Sequence, residues 1–132
     1  MTTNDATKAG VMGWPVSHSM SPLLHGFWLK QYGINGTYEL IAVEPNNFAQ
    51  KLETLMEAGF AGVNVTIPHK EAAIRAVDEV DDHASRIGAI NTIVFDKNGR
   101  ILGRNTDGFG FIENLKAGAP DWSPQSGPVV VL

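Results

Sequence analysis

The chain of 132 residues contains no cysteine, so neither a disulfide nor a thiolate metal site can belong to its design. No apolar run comes near the roughly 18 residues that a membrane-spanning helix requires. The first ten residues are polar and lack the apolar stretch of a secretory signal. Basic charge is not in excess either. Ten Lys and Arg stand against fourteen Asp and Glu, a net charge of −4, and the cations are scattered. That argues against a nucleic-acid groove, so an anionic ligand must be attracted locally, by one lysine or by helix ends. These absences leave a soluble domain that fits a reducing cytoplasm, with no nucleic-acid or membrane partner. A chain of this length buries roughly two-thirds of its unfolded surface and needs no covalent staple.

What is present alternates. Residues 1–7 read as a loose tail, and residues 9–13 form a short apolar strand ended by Trp14-Pro15. Ser21-Pro22 opens a helix, serine capping the first free amides and proline tolerated in the first turn. Leu24, Phe27, Trp28 and Tyr32 keep the helical period until Gly33. Residues 38–43 predict a second strand, and residues 45–58 a helix with Phe48, Leu52, Leu55 and Met56 on one face. Residues 61–67 predict a third strand, stopped by Pro68, and residues 69–87 one or two short helices. Strands at 92–95 and 101–103 flank Asn98-Gly99, the strongest short hairpin signal. A last helix follows Asp107. Residues 118–128 have linker composition, and Val129 to Leu132 read as an apolar strand of the kind buried in a parallel sheet. The expected fold class is therefore α/β, a three-layer α/β/α sandwich whose mostly parallel sheet carries one antiparallel hairpin strand. In such sheets ligands bind beyond the carboxyl ends of the strands.

Four polar clusters fall at element junctions. In His18-Ser19-Met20-Ser21-Pro22, two hydroxyls just before a helix make a carboxylate cradle, unless Ser21 merely caps the helix. In Asn64-Val65-Thr66-Ile67-Pro68-His69-Lys70, strand alternation places Gly62, Asn64 and Thr66 on one face, which gains from polar groups only if something polar meets them. Lys70 then falls in the first turn of an expected helix. There a cation opposes the helix dipole by about 0.3–1 kcal/mol, a placement that suits a group exchanging a proton. The alternative is an exposed lysine beside a strand-end polar pair. Asn91, in Gly88-Ala89-Ile90-Asn91-Thr92, is either a helix cap or a ligand group. Asp107, in Asn105-Thr106-Asp107-Gly108, either caps the last helix or pairs with Lys70 as acid and base.

Two further signals carry no chemistry. Gly108-Phe109-Gly110 resembles the start of a dinucleotide loop, but Glu113 stands where the third glycine belongs and no buried strand is expected before it. His18, His25, His69 and His83 lack zinc-like spacing, so no metal is expected. Phe27, Trp28, Phe109 and Phe111 lie at helical spacing and are assigned to the core.

In order and together, the four clusters resemble the shikimate dehydrogenase family. Ser19-Met20-Ser21-Pro22 followed by His25 is similar to its Ser-x-Ser-Pro segment, and the clusters around Asn64 to Lys70, Gly88 to Thr92 and Asn105 to Gly108 are similar to three more. The likeness runs from about residue 10 to residue 115; Gly26 departs from it, since many members carry Asn after the histidine. The resemblance implies reduction of 3-dehydroshikimate to shikimate with NADP(H), in the pathway leading to chorismate and the aromatic amino acids. It implies that Ser19 and Ser21 hold the substrate carboxylate. Asn64, Thr66, Asn91 and Asp107 would meet the ring hydroxyls, Lys70 would exchange the proton, and Asp107 would orient it. It further implies a shikimate-binding catalytic domain over residues 1–117, a linker over 118–128, and the start of a truncated NADP-binding Rossmann domain over 129–132. The fragment alone is then expected to bind substrate without turning it over, and the longer protein to be a possible homodimer. Activity on quinate as well as shikimate, and a non-catalytic shikimate-binding module, stay open as alternatives.

Overall fold

The computed structural model describes residues 6–132. Six strands form one sheet in the order β2-β1-β3-β5-β6-β4. They are β1 (Thr7–Gly13), β2 (Gly36–Ala42), β3 (Phe60–Val65), β4 (Glu79–Val80), β5 (Thr92–Phe95) and β6 (Ile101–Arg104). Pairing is parallel between β1 and β2, β1 and β3, and β4 and β6. Only β5 runs against its neighbours, antiparallel to both β3 and β6. The expected mostly parallel sheet with one antiparallel hairpin strand is what the chain forms. The hairpin closes through Asp96, whose carboxylate accepts the amides of Asn98 and Arg100, while Gly99 adopts a φ of 74° that a side chain would resist.

Four α-helices occur among the described residues: α1 (Ser21–Gln31), α2 (Phe48–Glu57) and α3 (Asp82–Ile87) pack on the sheet, and α4 (Asp107–Gly118) leads away from its edge. Strand alternation divides the sheet into two faces. On one face Met12, Ile41, Val63, Val65, Ile93 and Ile101 meet Phe48, Leu52 and Leu55 of α2 and Ala84 of α3 in a single buried cluster. Each large side chain buried there contributes about 1.5–3 kcal/mol. On the opposite face α1 lies over β1 and β2, where His25 and Leu29 approach Ala9 and Tyr38. Gly62 lets β3 and β5 close up, because a Cβ at that position would collide with the Ile93 carbonyl.

Several local expectations are corrected. The first strand begins at Thr7 rather than residue 9, and the rest of the expected tail, residues 1–5, lies outside the described residues. Residues 45–47 form a short 3₁₀ turn before α2 rather than its first turn. β4 was not expected; its two residues carry no strand pattern and pair only because β6 offers an edge. Phe27, Trp28, Phe109 and Phe111 are not core. Phe27 is 60% exposed and Phe109 69%, and neither α1 nor α4 contains a buried residue. Helical spacing identifies an apolar face but cannot say that anything covers it. Residues 129–132 form no strand here and are exposed, since a strand exists only where a neighbour pairs with it.

Candidate active site

The carboxyl ends of β1, β3 and β6 and the amino end of β5 share one edge of the sheet, because β5 runs the other way. All four polar clusters leave the sheet at that edge. There a cavity of about 270 Å³ is lined by Val11, Ser21, His25, Asn64, Thr66, Lys70, Asn91 and Asp107, with Val65. That is just under the roughly 300–1,000 Å³ of ligand pockets, the size for a small molecule rather than a dinucleotide. Of the larger clefts, two that lie apart from this edge bear comparison. One, of about 470 Å³, runs from Trp14 to Thr54 along α2. The other, of about 400 Å³, is an apolar trough over β3 and β5. The first is lined by Glu44, Asn47, Gln50 and Lys51, but no ion pair or side-chain hydrogen bond joins these groups, and the trough has no Lys, Arg, Asp or Glu. The smaller cavity is the one whose lining carries an ion pair, Lys70–Asp107.

Lys70 Nζ lies 2.5 Å from Asp107 Oδ2. Their side chains are 34% and 52% exposed, so the pair contributes about 0–1 kcal/mol to stability. Its placement matters for chemistry more than for holding the fold. Lys70 sits in a turn before the 3₁₀ helix Ala72–Ala76, not in the first turn of an α-helix, and the helix-dipole argument for it therefore fails. What holds the turn is His69. It is 1% exposed, stacks on Phe48 at 4.7 Å, and lies 2.9 Å from the Val43 carbonyl. A carbonyl only accepts, so His69 Nε2 carries the proton and donates it. Burial lowers the pKa of His69 below its ordinary value, against the opposing pull of that carbonyl, which keeps the ring neutral.

Asp107 is the first residue of α4 rather than its cap. Asn105 pins the entry instead: Oδ1 accepts the Asp107 amide at 2.9 Å, and Nδ2 donates to the Ala89 carbonyl at 2.9 Å. Asn91 is not the cap of α3 either, a job done by Gly88 at a φ of 80°. Its Nδ2 donates to Asp107 Oδ1 at 2.8 Å and to Thr106 Oγ1 at 2.9 Å, while its Oδ1 accepts the Thr106 amide at 2.9 Å. Asn64 points to the cavity face as alternation required, and Thr66 lines the same cavity one residue past the end of β3.

The serine cluster is split. Ser21 lines the cavity, whereas Ser19 does not; Ser19 Oγ accepts the Ser21 amide at 3.3 Å and so does the local capping that sequence reasoning gave to Ser21. Two participants escaped notice as site residues. Tyr38 donates to Asn64 Oδ1 at 2.7 Å and also hydrogen-bonds Ser21. Burial raises its pKa to about 12, with Ser21 pulling the other way, so the phenol stays protonated. His25 stacks on Tyr38 at 4.0 Å with the rings nearly parallel, and burial lowers its pKa. The Ser-Pro-x-x-His spacing was the signal for His25; nothing in the sequence marked Tyr38.

A dinucleotide does not fit these residues. β6, the strand expected over residues 101–103, precedes Gly108-Phe109-Gly110 and is half-buried, but the Asp107 carboxylate stands at the start of α4 where a pyrophosphate would need positive charge. A Cβ added at Gly110 would meet nothing within 4 Å, so no close approach requires glycine there. Among the described residues no group of three or more His, Asp or Glu is placed to hold a metal ion. Nor, among the described residues, is any helix long and apolar enough to cross a membrane.

Fold and site thus define an α/β small-molecule domain, with a lysine–carboxylate pair set among amides and hydroxyls at the open edge of its sheet. The match to known proteins then names the family: residues 11–93 fit the model of the shikimate dehydrogenase substrate binding domain, and the chain belongs to that family. It is 56% identical over 127 residues to a shikimate dehydrogenase (NADP(+)) of Paramagnetospirillum magneticum, covering 96% of this chain and 46% of that protein. To the one from Rhodospirillum rubrum it is 55% identical over 132 residues, covering 100% of this chain and 47% of the relative. The chain therefore spans about half the length of the curated relatives it matches. Among solved structures, shikimate 5-dehydrogenase of Thermus thermophilus in complex with shikimate superposes with a TM-score of 0.83. The two are 42% identical, over 92% of this chain and 45% of that one.

Proposed function

We propose that this chain is the substrate-holding half of an NADP-dependent shikimate dehydrogenase, which interconverts 3-dehydroshikimate and shikimate. The observation that carries the reading is the meeting of Lys70 and Asp107 at 2.5 Å in a cavity walled by Ser21, Asn64, Thr66 and Asn91. Family membership supplies the substrate class. Ser19 and Ser21, at the start of α1, hold the carboxylate, where free amides and the helix dipole favour an anion. Asn64, Thr66, Asn91 and Asp107 hydrogen-bond the ring hydroxyls. Lys70 gives its proton to the oxygen as the carbonyl is reduced and recovers it in the reverse direction, aimed by Asp107. NADPH supplies the hydride from a second domain, to which residues 118–128 lead as a linker and residues 129–132 belong as its start.

The ion pair favours this enzyme reading over a module that only holds shikimate-like acids, because an exposed pair adds little to the fold itself. Calorimetric titration of the chain, first with shikimate and then with NADPH, tests the reading. Heat of binding is expected for shikimate and none for NADPH. Tight NADPH binding, or no uptake of shikimate at millimolar concentration, contradicts it.

A further inference from the structure

The polar residues of the cavity are wired in one direction. Tyr38 donates to Asn64 Oδ1 at 2.7 Å. Asn64 Nδ2 donates to Thr92 Oγ1 at 3.2 Å. Thr92 Oγ1 donates to Asn91 Oδ1 at 3.0 Å. Asn91 Nδ2 donates to Asp107 Oδ1 at 2.8 Å, and Lys70 reaches the other carboxylate oxygen. Sheet register makes this possible, since Asn64 and Thr92 face each other across β3 and β5.

The direction is dictated by groups that cannot reverse. The Thr106 backbone amide can only donate and the Asp107 carboxylate only accepts, so Asn91 must present Oδ1 to the first and Nδ2 to the second. Asn91 Oδ1 then faces Thr92, whose hydroxyl must donate to it and keep its lone pairs for Asn64. The Asn91 carbonyl, 3.3 Å from Asn64 Nδ2, independently requires the same orientation of Asn64. Only a group that donates and accepts through one atom can join two asparagines in this way. Thr92 is that group. It does not line the cavity; its other side borders the apolar trough over β3 and β5.

We infer that Thr92 is a positioning residue for the site. Its hydroxyl couples the Asn64 and Asn91 amides, so that Asn91 holds Asp107 against Lys70 while Asn64 is fixed in the orientation it offers to the ligand. The inference deepens the proposed function and rests on it for the identity of the ligand only; the coupling itself exists in the free protein.

Thr92→Val removes the hydroxyl and keeps the β-branched shape, and Thr92→Ser keeps the hydroxyl and removes a methyl. Thr92→Ala is a second hydroxyl-free variant should the valine fail to fold. In the ligand-free chain, Thr92→Val is expected to shift the side-chain amide NMR signals of both Asn64 and Asn91, with Thr92→Ser leaving them near their original positions. Shikimate affinity, read by titration, is expected to fall roughly tenfold in Thr92→Val, the scale of one lost hydrogen bond, and to stay within about threefold in Thr92→Ser. Unmoved asparagine signals in Thr92→Val overturn the inference, as does a serine variant as impaired as the valine. If the unmodified chain takes up no shikimate, the proposed function fails, while the ligand-free signals still decide the coupling.

Discussion

The two faces of the sheet are built from the same strands and obey different rules. On the α2 face, Met12, Ile41, Val63, Val65, Ile93 and Ile101 are sealed under Phe48, Leu52 and Leu55. On the other face and at its open edge, the intervening residues include Asn64 and Thr92, joined through Asn91 to Asp107 and Lys70 by directed hydrogen bonds. One face stores stability in packing, which tolerates any apolar group of the right volume. The other stores geometry, in which each atom's role as donor or acceptor is fixed. A single strand can serve both because its side chains alternate.

That contrast sets the expected size and kind of each perturbation. Leu52, fully buried, is the place to break the packed face: Leu52→Ala is expected to cost about 2–5 kcal/mol of stability, read as a lowered melting temperature. Lys70→Ala is expected to leave the melting temperature almost unmoved. In a turnover-competent form carrying a nucleotide-binding half, it should cut kcat by at least ~10²-fold with little change in substrate affinity. Retained turnover would remove Lys70 from the acid/base role. Ser19→Ala combined with Ser21→Ala is expected to weaken shikimate binding roughly tenfold or more, two hydrogen bonds to a charged group being lost. Unchanged affinity by titration would end the cradle assignment.

The smallest effect is the pH dependence of stability, and it has two limbs. Burial lowers the pKa values of His25 and His69, so the neutral rings favour the folded state fully above the unfolded value of 6.5, and that contribution is lost as pH falls below it. Tyr38 is raised from 10.0 to about 12, so its contribution is complete below pH 10 and lost between 10 and 12. Melts across pH 4–12 should show both limbs, and Tyr38→Phe should flatten only the alkaline one.

The packed face was legible in the sequence because its signals are local. Phe48, Leu52 and Leu55 recur at helical spacing, Asn98-Gly99 marks its own turn, and a proline follows β1 and β3 within three residues. The aromatic residues of α1 and α4 were misread for a related reason: periodicity finds an apolar stripe, and coverage of that stripe is a property of the rest of the molecule. The site was half legible. Lys70 and Asp107 could be paired from their places at strand ends, and Ser21, Asn64, Thr66 and Asn91 were candidates for the same reason. Tyr38 could not be found, and Thr92, though it stands in the Gly88 to Thr92 cluster, carried no readable role of its own. Each is an ordinary strand residue until the sheet forms. Register sets Thr92 opposite Asn64 on the neighbouring strand, and strand order lets Tyr38 of β2 reach Asn64 across β1; neither is written in one segment alone. Lys70's supposed helix was misjudged because the charged, alanine-rich residues after it suggest one, whereas buried His69 holds a turn.

The central claim is that the directed polar edge, and not the packed face or the larger clefts, receives the ligand. Titration of isotope-labelled chain with shikimate, followed by backbone and side-chain amide NMR, tests it most directly. The account expects saturable shifts at Ser21, Asn64, Thr66, Lys70, Asn91 and Asp107, with residues 48–57 of α2 unmoved and no comparable response to NADPH. Shifts centred on the cleft between Trp14 and Thr54, or the same edge responding to NADPH instead of shikimate, would contradict it.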